Sequence, residues 1–217
     1  AYERSADALL AAAATPEQRA EAHFFKGVER LHACQKVPTR SHAQLRAARE
    51  HLGEAATLAV AHPLPSHLHF GILISSGNAF RHGEDRDLER ALEFYAQAEA
   101  LGAPNKDEVA RLCKVRADAL VARRLGTDVL DALALLDRAL RIRRSGWLRA
   151  ETLLSAHDAE LARDELPPAD RLRLGLDRLA EAAEHDDGRL AEPLTAPQLR
   201  SPDHLRAAVP GARPAPQ

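Results

Sequence analysis

The feature that most constrains this chain is a spacing. A small residue, three positions, a large residue, two positions and another small residue recur five times in near-constant phase. The five sets are Ser5–Leu9–Ala12, Ala48–Leu52–Ala55, Ala91–Tyr95–Ala98, Ala132–Leu136–Ala139 and Gly175–Leu179–Ala182, with steps of 43, 43, 41 and 43 residues. Residues at i, i+4 and i+7 lie on one helix face, so each set describes one helix surface. Two small residues beside a large one let a neighbouring helix come close and receive the large side chain as a knob. A fixed period of this length is the mark of a helical repeat array.

The spacing between these helices is equally regular. Thr15-Pro16-Glu17-Gln18 reads as an N-cap, a Pro at the first helical position and the Gln of a capping box, and Ser41…Gln44 and Asn105…Glu108 repeat that register. Thr127-Asp128 and Ser145-Gly146 mark two more starts. Pro63, Pro65, Gly83, Gly102, Pro104, Gly126, Pro167 and Pro168 fall between periodic segments. The signals predict helices over 2–14, 16–35, 41–61, 66–82, 87–101, 106–125, 128–144, 147–164 and 169–185. Short loops make consecutive helices antiparallel neighbours. Composition agrees: Ala and Leu supply 77 of 217 residues, whereas Val, Ile and Thr supply 17. Ala and Leu favour helix and the β-branched residues favour strands, so a sheet protein is excluded.

The segment Ala91-Leu92-Glu93-Phe94-Tyr95-Ala96-Gln97-Ala98, followed by Pro104, resembles the second helix of a tetratricopeptide repeat. That family also places a small residue twelve positions before the first of these alanines. Here Leu120 stands twelve before Ala132, Gly77 fourteen before Ala91 and Gly27 twenty-one before Ala48. The period near 42 is similar to long-helix variants of the family or to HEAT-type repeats, and the family's first-helix Trp and Tyr are mostly missing. A second stretch, Ser76-Gly77-Asn78-Ala79-Phe80-Arg81 followed by Asp85-Arg86-Asp87-Leu88-Glu89-Arg90-Ala91-Leu92, is similar to bacterial repeat arrays that precede a caspase-like peptidase domain. The resemblance implies an all-α, right-handed α-solenoid of antiparallel helical hairpins over residues 1–187. From Gly188 the chain turns Pro-rich and reads as a tail, with one short helix starting at Ser201-Pro202 and ending near Val209.

The formal net charge of −2 argues against nucleic-acid binding by bulk basicity. The apolar runs are too short to span a membrane, and residues 1–14 carry no basic stretch of the kind that opens a signal peptide. Two cysteines make no disulfide framework, so the expected location is cytoplasmic. Ala1 in first place fits removal of an initiator Met or excision from a longer chain.

Chemistry-bearing residues are sparse. His62, His67 and His69 are close in sequence, but i and i+2 imidazoles diverge on a helix and no nearby Cys or carboxylate completes a tetrahedral set. Cys34 and Cys113 read as core thiols, and Trp147 as a packing residue at a helix start. The acidic turns Glu84–Asp87 and His185–Gly188 lack calcium-loop spacing, and phosphate-loop and hydrolase motifs are absent. The basic run Arg138…Arg141-Ile142-Arg143-Arg144 falls at a helix C-terminus, where cations complement the dipole. No enzyme activity, cofactor or metal is expected.

The tetratricopeptide resemblance implies that the first helix of each pair lines a concave groove. Carrying that position from Gly77, Leu120 and Ala156 places Asn78, Arg81, Val121, Arg124, His157 and Glu160 there, with Lys114 six positions before Leu120. Such residues in this family bind a peptide backbone or carboxylate, and Arg forks match carboxylates. The expected function is a protein-interaction scaffold or regulatory module that binds a peptide or partner domain, with intramolecular or homo-oligomeric contacts also open. Two alternatives stand beside it: the sensor region of a larger caspase-like peptidase or defence effector, and a small metal- or thiol-dependent enzyme.

Overall fold

The computed structural model describes residues 2–36, 41–143 and 146–185. These residues form nine α-helices and no strand. The helices are α1 (Tyr2–Ala12), α2 (Pro16–Lys36), α3 (Ser41–Ala61), α4 (Ser66–Arg81), α5 (Leu88–Leu101), α6 (Lys106–Arg123), α7 (Asp128–Ile142), α8 (Trp147–Leu161) and α9 (Pro168–His185). The expected tail from 188 onward lies outside the described residues. So do the side chains of Ser5 and Ser41.

Local chemistry accounts for the helix ends. The Gln18 N–H donates to Thr15 Oγ1 at 3.2 Å, while Gln18 Oε1 accepts from the Thr15 and Ala14 N–H groups, a reciprocal capping box. Asn105 accepts from the Glu108 N–H at 2.9 Å, and Asp87 from the Arg90 N–H at 3.0 Å. Thr127 makes no such cap. Its hydroxyl donates to Asp131, and Asp128 accepts from the Leu125 N–H instead. Helix α6 stops at Arg123 because Arg124 turns left-handed, with φ 55°, and donates its N–H to the Leu120 carbonyl.

The most extensive packing lies within the pairs α2–α3, α4–α5, α6–α7 and α8–α9. Thinner seams α3–α4, α5–α6 and α7–α8 join each pair to the next. The first helices also touch one another, α2 with α4, α4 with α6 and α6 with α8. The second helices form no comparable contact among the described residues.

The periodic positions form the seams of this packing. Ala48, Leu52, Ala55, Ala91, Tyr95, Ala98, Ala132, Leu136 and Ala139 are all sealed from solvent. Each large residue meets a small one on the preceding helix. A β-carbon at Gly27 would run into Leu52, and one at Gly77 into the Tyr95 ring. Leu136 packs in a cluster with Ala117, Ala132, Ala156 and Ala159. The end sets differ. Leu9 and Ala12 on α1 are exposed, and Leu179 on α9 is half-buried.

Helix α3 also clamps the turn after α4. Arg49 donates to the Ala79 and His82 carbonyls and pairs with Asp85 at 2.6 Å. Its guanidinium and that of Arg90 both lie over the Phe80 ring, 5.1 and 4.5 Å from its centre. The Gly83–Asp87 turn is thus held by charge-assisted hydrogen bonds to the neighbouring hairpin.

Candidate functional site

The face shared by α4, α6 and α8 carries a row of ionised side chains. Arg81, at the end of α4, donates to Asp118 Oδ2 of α6 at 2.9 Å. Lys114, one turn before Asp118 on α6, donates to the same oxygen at 3.1 Å. Lys114 also pairs across to Glu151 of α8 at 3.4 Å. The Ser155 hydroxyl of α8 adds a hydrogen bond to Asp118. Three helices are therefore stitched through one carboxylate.

The side chains of Arg81, Lys114 and Asp118 are only 18%, 13% and 15% exposed, so their pairing matters. Burial by itself would push the Asp118 carboxyl up. The charges of Lys114 and Arg81 outweigh it, and the Ser155 and Lys114 hydrogen bonds add to them, so the group sits below the usual carboxylate range. Beside them, His82 accepts from Arg81 at 3.4 Å. Burial, reinforced by the Arg81 charge, pushes its imidazole down to about 4, so it is neutral at pH 7. Tyr95 donates its hydroxyl to Asn78 Oδ1 at 2.7 Å, and burial raises its phenol.

Of the residues expected in the groove, Asn78, Arg81 and Lys114 meet in this row. Val121 is half-buried beside the α6–α7 cluster. Arg124 is exposed at the left-handed end of α6. The ring of His157 is turned to α9, where Nδ1–H donates to the Gly175 carbonyl at 2.8 Å. Glu160 is buried, accepts from Arg163 at 3.2 Å and lies 3.9 Å from Arg178 of α9. Sequence reasoning missed Asp118, Glu151, His82 and Ser155. Lys114 and Asp118 stand at i, i+4, the spacing of a helical ion pair, which is the one signal that was available.

The arrangement has a chemical consequence. Both cations already share Asp118, so an incoming carboxylate must compete with an internal one. What the row presents besides these cations is polar and directional: the Asn78 amide, whose oxygen accepts from Tyr95, and the half-exposed Glu151, which pairs with Lys114.

The other chemistry-bearing residues are placed as follows. Among the described residues, no three His, Cys, Asp or Glu side chains converge as a metal site. His62 and His67 are exposed and His69 half-buried. Cys113 is buried, and burial pushes its thiol up, away from the thiolate a nucleophile needs. Cys34 donates its thiol to the Arg30 carbonyl at 3.1 Å. No helix among the described residues is long and apolar enough to cross a membrane. No family model, curated protein or solved structure matches the chain.

Proposed function

We propose that the chain is a tetratricopeptide-like, right-handed α-solenoid with a period near 42 residues, working as a protein-interaction scaffold. Its α4–α6–α8 face is the concave side and takes an extended peptide or a loop of a partner domain. The observation that carries this reading is the asymmetry of contact: first helices touch one another, whereas second helices make no comparable contact among the described residues. Curvature of that sense leaves a groove lined by first helices, and solenoids use such surfaces for binding. Burial of the phase-locked alanines supports the repeat, since each hairpin covers the apolar face of the one before it. The ligand preferred by the row is a peptide main chain or polar side chain rather than a bare carboxylate.

Peptides selected from a displayed random library against the whole chain test the reading. Their affinity is expected to fall at least ~10-fold in Lys114→Gln/Glu151→Gln, an effect of the size of one lost charge-assisted contact. It should be unchanged in Val60→Ser, an 86% exposed position on α3. Selected peptides that bind both variants equally well would overturn the groove assignment.

A further inference from the structure

We propose that a second site lies on the opposite side of the α6–α7 hairpin, where a cleft takes an acidic peptide segment bearing apolar side chains. Two adjoining cavities form it. One, of ≈ 210 Å³, is floored by Val109, Leu112, Cys113 and Leu135. The other, open and of ≈ 510 Å³, runs over Leu120, Ala134 and Leu135. Arg116 of α6 and Arg138 of α7 line both, so two guanidinium groups stand where the cavities meet. Arg123 and Arg141 extend the basic wall along the larger one.

The state of these cations separates this site from the ionic row. Arg116 pairs with Glu99 at 2.5 Å, and Arg123 is held by Asp128 and Glu89. Arg138 and Arg141 are exposed and, among the described residues, make no hydrogen bond or ion pair. They stand one helical turn apart on α7, which aims both at the same strip of surface. Two of the remaining acids of the cleft are paired with its other arginines, and the third is hydrogen-bonded to a neutral hydroxyl. Glu99 binds Arg116, Asp128 binds Arg123, and Asp131 accepts from the Thr127 hydroxyl at 2.8 Å.

The C-terminal dipole of α7 favours cations here, and Arg141 in the last turn meets it. Dipole compensation does not require Arg138, a turn earlier, or the apolar floor of Val109, Leu112 and Leu135 beside it. An apolar side chain seated over Val109, Leu112 and Leu135, with a carboxylate following it toward Arg138, satisfies both halves of the cleft. Arg is the cation suited to that job, because its fork matches a carboxylate in two parallel hydrogen bonds. This site stands independently of the groove reading.

Fluorescence anisotropy with a short labelled peptide of alternating Glu and Leu, against its Gln-for-Glu twin, decides the matter on the whole chain. The acidic peptide is expected to bind and the twin to bind at least ~10-fold more weakly, with affinity falling as salt screens the charges. Arg138→Glu/Arg141→Glu should abolish the difference, and Arg138→Gln/Arg141→Gln should reduce it. Neither position supports the fold through a hydrogen bond, and circular dichroism checks that the helices persist. Lys114→Gln/Glu151→Gln should leave the acidic peptide bound, which separates this site from the groove. Absence of binding, equal binding of the twin, or equal binding by the charge-reversed variant overturns the proposal. So does a change in oligomeric mass in Arg138→Glu/Arg141→Glu without peptide binding, which would make the cleft a contact between copies.

Discussion

Helix α6 carries cations toward two different fates. On the α4–α6–α8 face, Lys114 is drawn into a triad with Asp118 and Arg81 and is mostly buried. Across the helix, Arg116 opens onto a cleft in which Arg138 and Arg141 have no anionic partner among the described residues. Both faces read as basic in the sequence. One commits its charge to joining helices, and the other ties Arg116 and Arg123 to α5 but leaves Arg138 and Arg141 facing solvent. Charge therefore marks a binding surface only after its internal partners are known, and the number of cations alone does not separate the two cases.

The contrast makes graded predictions. The largest effect belongs to Asp118→Ala, which leaves the mostly buried Arg81 and Lys114 without their shared carboxylate. A loss of about 3 kcal/mol is expected in urea unfolding, the scale found when one partner of a buried ion pair is removed. Next comes Gly77→Ala. Its new methyl group collides with the Tyr95 ring, and overpacking of this kind costs about 1–3 kcal/mol. The ring is enclosed and bonded to Asn78, so it has little room to move.

A pH series sharpens the comparison. His82 titrates near 4 when folded against 6.5 in the unfolded chain. A group whose folded pKa is depressed binds its proton first in the unfolded state, so stability declines as pH falls from about 6.5 toward 4. One site limits the slope to about 1.4 kcal/mol per pH unit. His23 and His51, lowered by burial and only 3.2 Å apart between their Nδ1 atoms, act in the same sense. The difference between wild type and His82→Gln isolates the His82 share, and parallel profiles would remove it. Asp118 contributes in a lower window, its stabilisation being lost only as pH drops below the ordinary carboxylate value. The smallest effect is expected for Arg138→Ala/Arg141→Ala, within about 0.5 kcal/mol of wild type, since both are exposed and neither makes a hydrogen bond or ion pair among the described residues.

How much of this was legible follows from the range of each interaction. The helices begin and end within three residues of their expected places, because caps, Gly and Pro act over a single turn. The knob positions were readable because a 3.6-residue period and a fixed repeat both report on one helix face. The ionic row was only half readable. Asn78, Arg81 and Lys114 follow from position on a first helix. Glu151 reaches Lys114, and Ser155 reaches Asp118, through the rotation of α8 against α6, which no local pattern encodes. The same rotation directs His157 and Glu160 toward α9, where Gly175 leaves a gap beside the imidazole. The unpaired state of Arg138 and Arg141 was illegible for the same reason, since it depends on where every acid of the neighbouring hairpin ends up.

The central claim, that one carboxylate joins consecutive first helices, is tested most directly by a double-mutant cycle between Arg81 and Asp118. The measurement compares the unfolding free energies of Arg81→Ala, Asp118→Ala, the double variant and wild type. A coupling energy of about 1–3 kcal/mol is predicted, in the range of contacting residues within one network. A coupling indistinguishable from zero would mean that α4 and α6 are not joined at this point and would contradict the account.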